Sequence, residues 1–202
     1  MTTPLSNDLL SQLQGQPLAQ MSNQLGLSPA QTQDAVTTAL PLLLGALGRN
    51  ASQPQGAEAL FGALQKDHAG LDIGSVLGAV MGGGGQGGQI LEHIFGARHD
   101  TAAQGLGTAT GLGGSQANTL LKILAPIVLA YLANRMFSQG ASTAPATPQG
   151  LGNVLGQERE AIQQQGGLGG GLLGSVLDQD GDGQVGLGDL LKMGGGLLGG
   201  KR

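Results

Sequence analysis

The chain has 202 residues, with 13 acidic and 9 basic side chains for a formal charge of −4, no cysteine, and only 2% aromatic residues. The lack of cysteine excludes disulfides, thiolate metal sites and a thiol nucleophile. A pI near 5.1 without a basic cluster argues against nucleic acid as a partner. Forty glycines, gathered largely in tracts, limit the packed core to less than the length would allow, and it must be built from Leu, Ile, Val, Ala and Met.

The opening, Met1-Thr-Thr-Pro-Leu-Ser-Asn-Asp8, has no basic region followed by an apolar run, so no secretory signal is expected. On that ground the chain reads as cytoplasmic, with the envelope and exterior left open. Helices are expected at Leu5 to Leu13 and Pro17 to Gln24. Ser28 is an N-cap candidate, with Pro29 at the first helical position and Gln31 at the capping-box position. Pro41 lies thirteen residues beyond that cap and should kink or break its helix by removing a backbone donor. The segment after it, Leu42-Leu-Leu44, is apolar all round and so belongs to the core.

Ala57 to Gln65 and Ile73 to Met81 read as amphipathic helices, and Gly82 to Gly88 as a loop too glycine-dense to order without packing. Further helices are expected at Gly88 to Phe95 and Thr101 to Leu106. A second long one follows Gly113 and Gln116 and again meets a proline, Pro126, thirteen residues on. The longest apolar stretch, Ile123 to Ala133, is short for a bilayer and reads as a buried helix. No run alternates with period two and β-branched residues are sparse, so the fold class is all-α.

One offset, 85 positions, aligns Gly26-Leu27 with Gly111-Leu112, Gln31 with Gln116, Pro41 with Pro126 and Leu47 with Leu132. Matching apolar classes at Val36/Leu121, Leu43/Val128 and Leu44/Leu129 support an internal duplication. Residues 1–137 are therefore expected to form a duplicated helical domain with copies at about 5–50 and 90–135. Residues 138–170 should be a flexible linker with a short polar helix from Gln157 to Gln165.

Near the C-terminus Asp178, Asp180, Asp182, Gly183, Gln184 and Asp189 occupy positions 1, 3, 5, 6, 7 and 12 of a twelve-residue loop. A hard divalent cation takes six to eight oxygens, and this is the spacing of an EF-hand loop with Asp in place of the closing Glu. Three carboxylates alternate around the ion, Gln184 offers its backbone carbonyl, water fills the vertex at Gly186, and Asp189 closes the site. The expected cofactor is Ca²⁺, with an affinity of about 10⁻⁵ to 10⁻³ M for an unpaired loop. Gly169-Gly-Gly-Leu-Leu-Gly174 recurs at Gly194 to Gly199, so residues 171–202 read as a glycine-softened helix-loop-helix. Each helical glycine costs about 1 kcal/mol against alanine. Either calcium orders these flanks or they are helical in both states through close packing.

No helical ligand pair joins His68, His93 and His99, and no nucleophile elbow or phosphate-loop ending is present. An enzyme is not expected. The leading expectation is a calcium-binding interaction or structural protein whose tail docks on itself, on a second copy or on a protein partner. The alternative is a membrane- or envelope-associated module using the Leu/Gly-rich tail.

The variant D-x-D-x-D-G ending in Asp189-Leu-Leu191 resembles dockerin-type calcium loops. Gly88-Gln-Ile-Leu-Glu-His-Ile-Phe-Gly96, Gly111-Leu-Gly-Gly-Ser-Gln116-Ala-Asn-Thr-Leu120 and Leu124-Ala-Pro126-Ile-Val128 look like the YidB-like bacterial family of unknown function. Leu40-Pro41-Leu-Leu-Leu-Gly45-Ala-Leu-Gly-Arg-Asn50 resembles the same pattern. The likeness covers about residues 5–137. It implies an all-helical fold and a bacterial origin, and it brings no catalytic residue with it.

Overall fold

Two long helices, each carrying a proline near its middle, organise the protein. The structure is a computed structural model that describes residues 4–68, 70–84, 86–137 and 146–165. Among them every regular element is helical: α1 (Leu5–Leu13), α2 (Gln16–Leu25), α3 (Pro29–Ala51), α4 (Pro54–Ala63), α5 (Ile73–Ala79), α6 (Gly87–Phe95), α7 (His99–Thr110), α8 (Gly114–Phe137) and α9 (Pro148–Gln165). A π-helical turn follows α4 at Leu64–His68, and a second follows α5 at Val80–Gly84 but is broken at Gly83, whose φ of 82° is not helical.

The expected caps are present. Ser28 and Gln31 form a reciprocal capping box at the start of α3, with Pro29 in the first helical position. At α8 the Gly113 N–H donates to the Gln116 side-chain oxygen at 3.2 Å, the counterpart of Ser28 N–H to Gln31 at 3.1 Å. Gly26 and Gly111 end α2 and α7 with φ of 65° and 71°, a left-handed conformation that favours glycine. Pro41 and Pro126 sit inside continuous helices, so they kink these elements without ending them.

The offset of 85 carries α1, α2 and α3 onto α6, α7 and α8 in order, with α3 and α8 coinciding to within one residue. Equivalent positions also pack alike. The Ser22 hydroxyl lies 2.9 Å from the Thr32 hydroxyl between α2 and α3. In the second copy this pair is Gly107 and Ala117, and a Cβ at Gly107 would stand 3.8 Å from that of Ala117. A buried polar contact has been replaced by close packing of two small residues.

The segments that follow each copy cross over to the other. The chain after α3 packs the first π turn and α5 on α8, while α9, which follows α8, packs on α3 and α4. By length and composition α8 is the one described helix apolar enough to cross a membrane, but 78% of that window is buried, which makes it the central core helix.

Two expectations are corrected. Residues 148–165 are not a linker ending in a short polar helix: they form one helix of 18 residues that belongs to the body, with Leu151 and Leu155 fully buried. Thr147 caps it by accepting from the Gly150 N–H at 3.0 Å. The expected loop from Gly82 to Gly88 is shorter than read: the chain leaves helical geometry at Gly83, with φ of 82°, but helix α6 already begins at Gly87. Gly87 is buried against the Lys122 carbonyl, the group that loses its helical donor because Pro126 has no N–H. A side chain there would collide with that carbonyl, so glycine at this point serves packing and not flexibility. Residues 138–145 and the helix-loop-helix expected at 171–202 lie outside the described residues.

Candidate functional site

The five expected metal ligands, Asp178, Asp180, Asp182, Gln184 and Asp189, all lie outside the described residues. Among the described residues no group of three or more His, Cys, Asp or Glu side chains could hold a metal ion. His93 Nδ1 lies 2.8 Å from the Gln89 carbonyl, and His99 Nδ1 lies 3.2 Å from that of Gly96, so each bonds within its own turn.

The polar chemistry of the body consists of side chains that cap helix ends from a distance. Glu158, on α9, is buried and turns its carboxylate onto the start of α1. It accepts from the Leu5 N–H at 2.7 Å, the Ser6 N–H at 3.0 Å and the Ser6 hydroxyl at 2.7 Å. Pro4, the N-cap of α1, supplies no side-chain cap of its own. Helix N-termini present unsatisfied N–H groups and a partial positive charge, so a carboxylate is the fitting partner. Asn50, near the end of α3, donates to the His93 and Ile94 carbonyls at the end of α6 at 3.1 and 3.2 Å. Gln116, at the start of α8, donates to the Leu25 carbonyl at the end of α2 at 3.2 Å.

The end of α8 reaches α1 in the same manner. Tyr131 donates its hydroxyl to Asp8 Oδ2 at 2.6 Å, and Arg135 stands 3.5 Å from the same oxygen. Burial, and then the bond to Asp8, raise the Tyr131 pKa above the usual tyrosine range, because both disfavour the phenolate. The unfolded chain therefore releases this proton first. Stability is full below the ordinary tyrosine value of about 10 and is expected to fall as pH rises beyond it. Tyr131 is the sole tyrosine and there is no tryptophan, so ultraviolet absorbance reads this one group. The phenolate band of the folded protein should appear well above pH 10, and Tyr131→Phe should flatten the loss of urea stability between pH 9 and 11. A band centred at the usual tyrosine pH would contradict the arrangement.

One small cavity, of about 170 Å³, lies between α2, the second π turn, α6 and α8; Gln24, Val80, Met81, Thr119, Lys122 and Ile123 line it together with three glycines. Lys122 is its one titratable side chain, so it holds no nucleophile-base pair. Of the caps across the fold, the sequence reading found the roles of Ser28 and Gln31 but missed Glu158. The available signals were Thr147-Pro148, which repeats the Ser28-Pro29 pattern, and Leu151, Leu155, Glu158 and Ile162, which mark one helical stripe.

These features define an all-helical body whose two proline-kinked long helices and their neighbours are tied together by side-chain caps. The chain belongs to a family of bacterial proteins of unknown function, DUF937, whose pattern matches residues 7–135, in agreement with the resemblance over residues 5–137. No curated protein and no solved structure matches the chain.

Proposed function

We propose that the protein is a non-enzymatic calcium-binding interaction protein, with the duplicated helical body as scaffold and the tail beyond α9 as the responsive part. The observation that carries this is the donor set of Asp178, Asp180, Asp182, the Gln184 carbonyl and Asp189 at the spacing that a seven-coordinate oxygen cage requires. Those donors fit a hard dication: they are all oxygen, and four of them are carboxylates that repel one another without a cation between them. The loop begins thirteen residues after Gln165, the last residue of α9, so a helix seated on α3 and α4 tethers it to the body. Calcium would then change how the Leu/Gly flanks order and what they touch. The YidB-like resemblance and the dockerin-like ending belong to this same reading.

Isothermal titration of the full chain with calcium tests it. The parent should give a one-site isotherm with Kd of about 10⁻⁵ to 10⁻³ M, and Asp180→Ala and Asp182→Ala should abolish the heat. Equal heats from parent and variants would discard the proposal.

A further inference from the structure

We infer that residues 166–177, the Leu/Gly segment between α9 and the acidic loop, dock on the face of α3 formed by Thr38, Pro41, Leu42 and Gly45. This rests on the proposed docking of the tail and narrows it to one occupant and one surface.

The duplication makes α3 and α8 equivalent, yet their corresponding faces are covered unequally. On α8 the positions 85 further along, Ile123, Pro126, Ile127 and Ala130, are all buried. Helix α5 packs along α8, with the Asn134 amide donating to the Leu71 carbonyl at 2.7 Å before it and Val80 and Met81 lining a cavity with Ile123 after it. On α3 the four counterparts are only half-buried, and a Cβ placed at Gly45 would meet nothing within 4 Å.

Helix α9 covers the adjoining side of α3 and runs antiparallel to it. A Cβ at Gly152 would stand 3.1 Å from the Ala51 carbonyl, and one at Gly48 would stand 3.1 Å from the Leu155 carbonyl. Each step forward along α9 is therefore a step back along α3, which brings the end of α9 toward Pro41. The residues that follow are Leu168, Leu172, Leu173, Val176 and Leu177, interleaved with glycines that allow close approach to a helix at Gly45. The eight residues from Gln165 to Leu173 can span up to about 26–29 Å, ample for a return to Gly45, about two helical turns back along α3 from the level of Gln165.

Tethering favours this segment over a second copy, since a short linker gives an effective concentration on the order of millimolar. A face of four residues is also far smaller than the roughly 800 Å² per partner of a stable dimer.

The absence of native cysteine makes the test clean. In the full chain, Gly45→Cys paired with Leu173→Cys is oxidised mildly, in calcium and in chelator, beside a control pair of Leu173→Cys with Gln104→Cys on the exposed side of α7. The docked segment should form the Gly45–Leu173 link within one chain at least on the order of tenfold faster than the control. A calcium-independent link, together with a failed calcium titration, would keep the docking and remove the calcium reading. Rates equal to the control in both conditions would overturn the docking even if calcium binds. Links formed only between chains would overturn it in favour of a second copy.

Discussion

Replacing Glu158 with alanine is expected to lower the unfolding free energy by about 3 kcal/mol, more than any other side-chain truncation on the polar joins described above. The carboxylate serves three donors, and bonds to a charged group contribute about 1.5–3 kcal/mol each, net of exchange with water. Two of the donors are N–H groups in the first turn of α1, where a carboxylate also opposes the helix dipole. Removing it leaves these groups under α9 with no replacement cap, because Pro4 offers none. Water entering the space left by the side chain recovers part of the loss, which is why the full sum is not reached. For a body of this size the change corresponds to about 6–12 °C in Tm. Glu158→Gln keeps an acceptor but loses the charge, so it should fall between parent and alanine. Glu160→Ala, two residues away and exposed, should stay within about 0.5 kcal/mol of the parent. Urea unfolding followed by circular dichroism ranks the three, and equal midpoints for Glu158→Ala and Glu160→Ala would remove the cap from the account.

The same residue shows where sequence reasoning reached and where it stopped. The limits of α1 and the box at Ser28 and Gln31 are written in local spacing, so they were legible. Glu158 was not, because its partners lie about 150 positions away in the first turn of α1, and a lone glutamate in a glutamine-rich stretch resembles a solvated surface. The stripe of Leu151, Leu155 and Ile162 that surrounds it was present, but linker composition upstream hid its start at Thr147-Pro148. Gly82 to Gly88 misled at one end only: the break at Gly83 is there, but Gly87 and Gly88 belong to α6. Glycine density there argues for a loop when propensity alone is counted, whereas the need for Gly87 arises from a carbonyl on α8 that propensity does not see. The acidic loop is proposed on the same kind of local spacing, since its five candidate ligands fall within twelve consecutive residues.

That tertiary demand sets the sign of a substitution usually regarded as benign. Gly→Ala inside a helix ordinarily stabilises by about 0.5–1 kcal/mol, through backbone entropy lost by the unfolded chain. Gly78, exposed on α5 with nothing within 4 Å of a built Cβ, should follow that rule. Gly87→Ala should instead destabilise by about 3 kcal/mol. Its Cβ would overlap the Lys122 carbonyl oxygen and stand 2.8 Å from the carbonyl carbon, and both are backbone atoms that cannot rotate away. Relief requires α6 to withdraw from α8, which loosens Leu91 and Ile94 in the core. Strain of this kind costs about 1–3 kcal/mol and sometimes more. Gly56→Ala provides an independent case, because its Cβ would overlap the Asn50 carbonyl oxygen where α4 leaves α3. Urea midpoints should therefore rise for Gly78→Ala and fall for the other two. A midpoint for Gly87→Ala at or above the parent would mean that α6 does not approach α8 this closely, and that the fused Gly82–Gly88 loop was the better description after all.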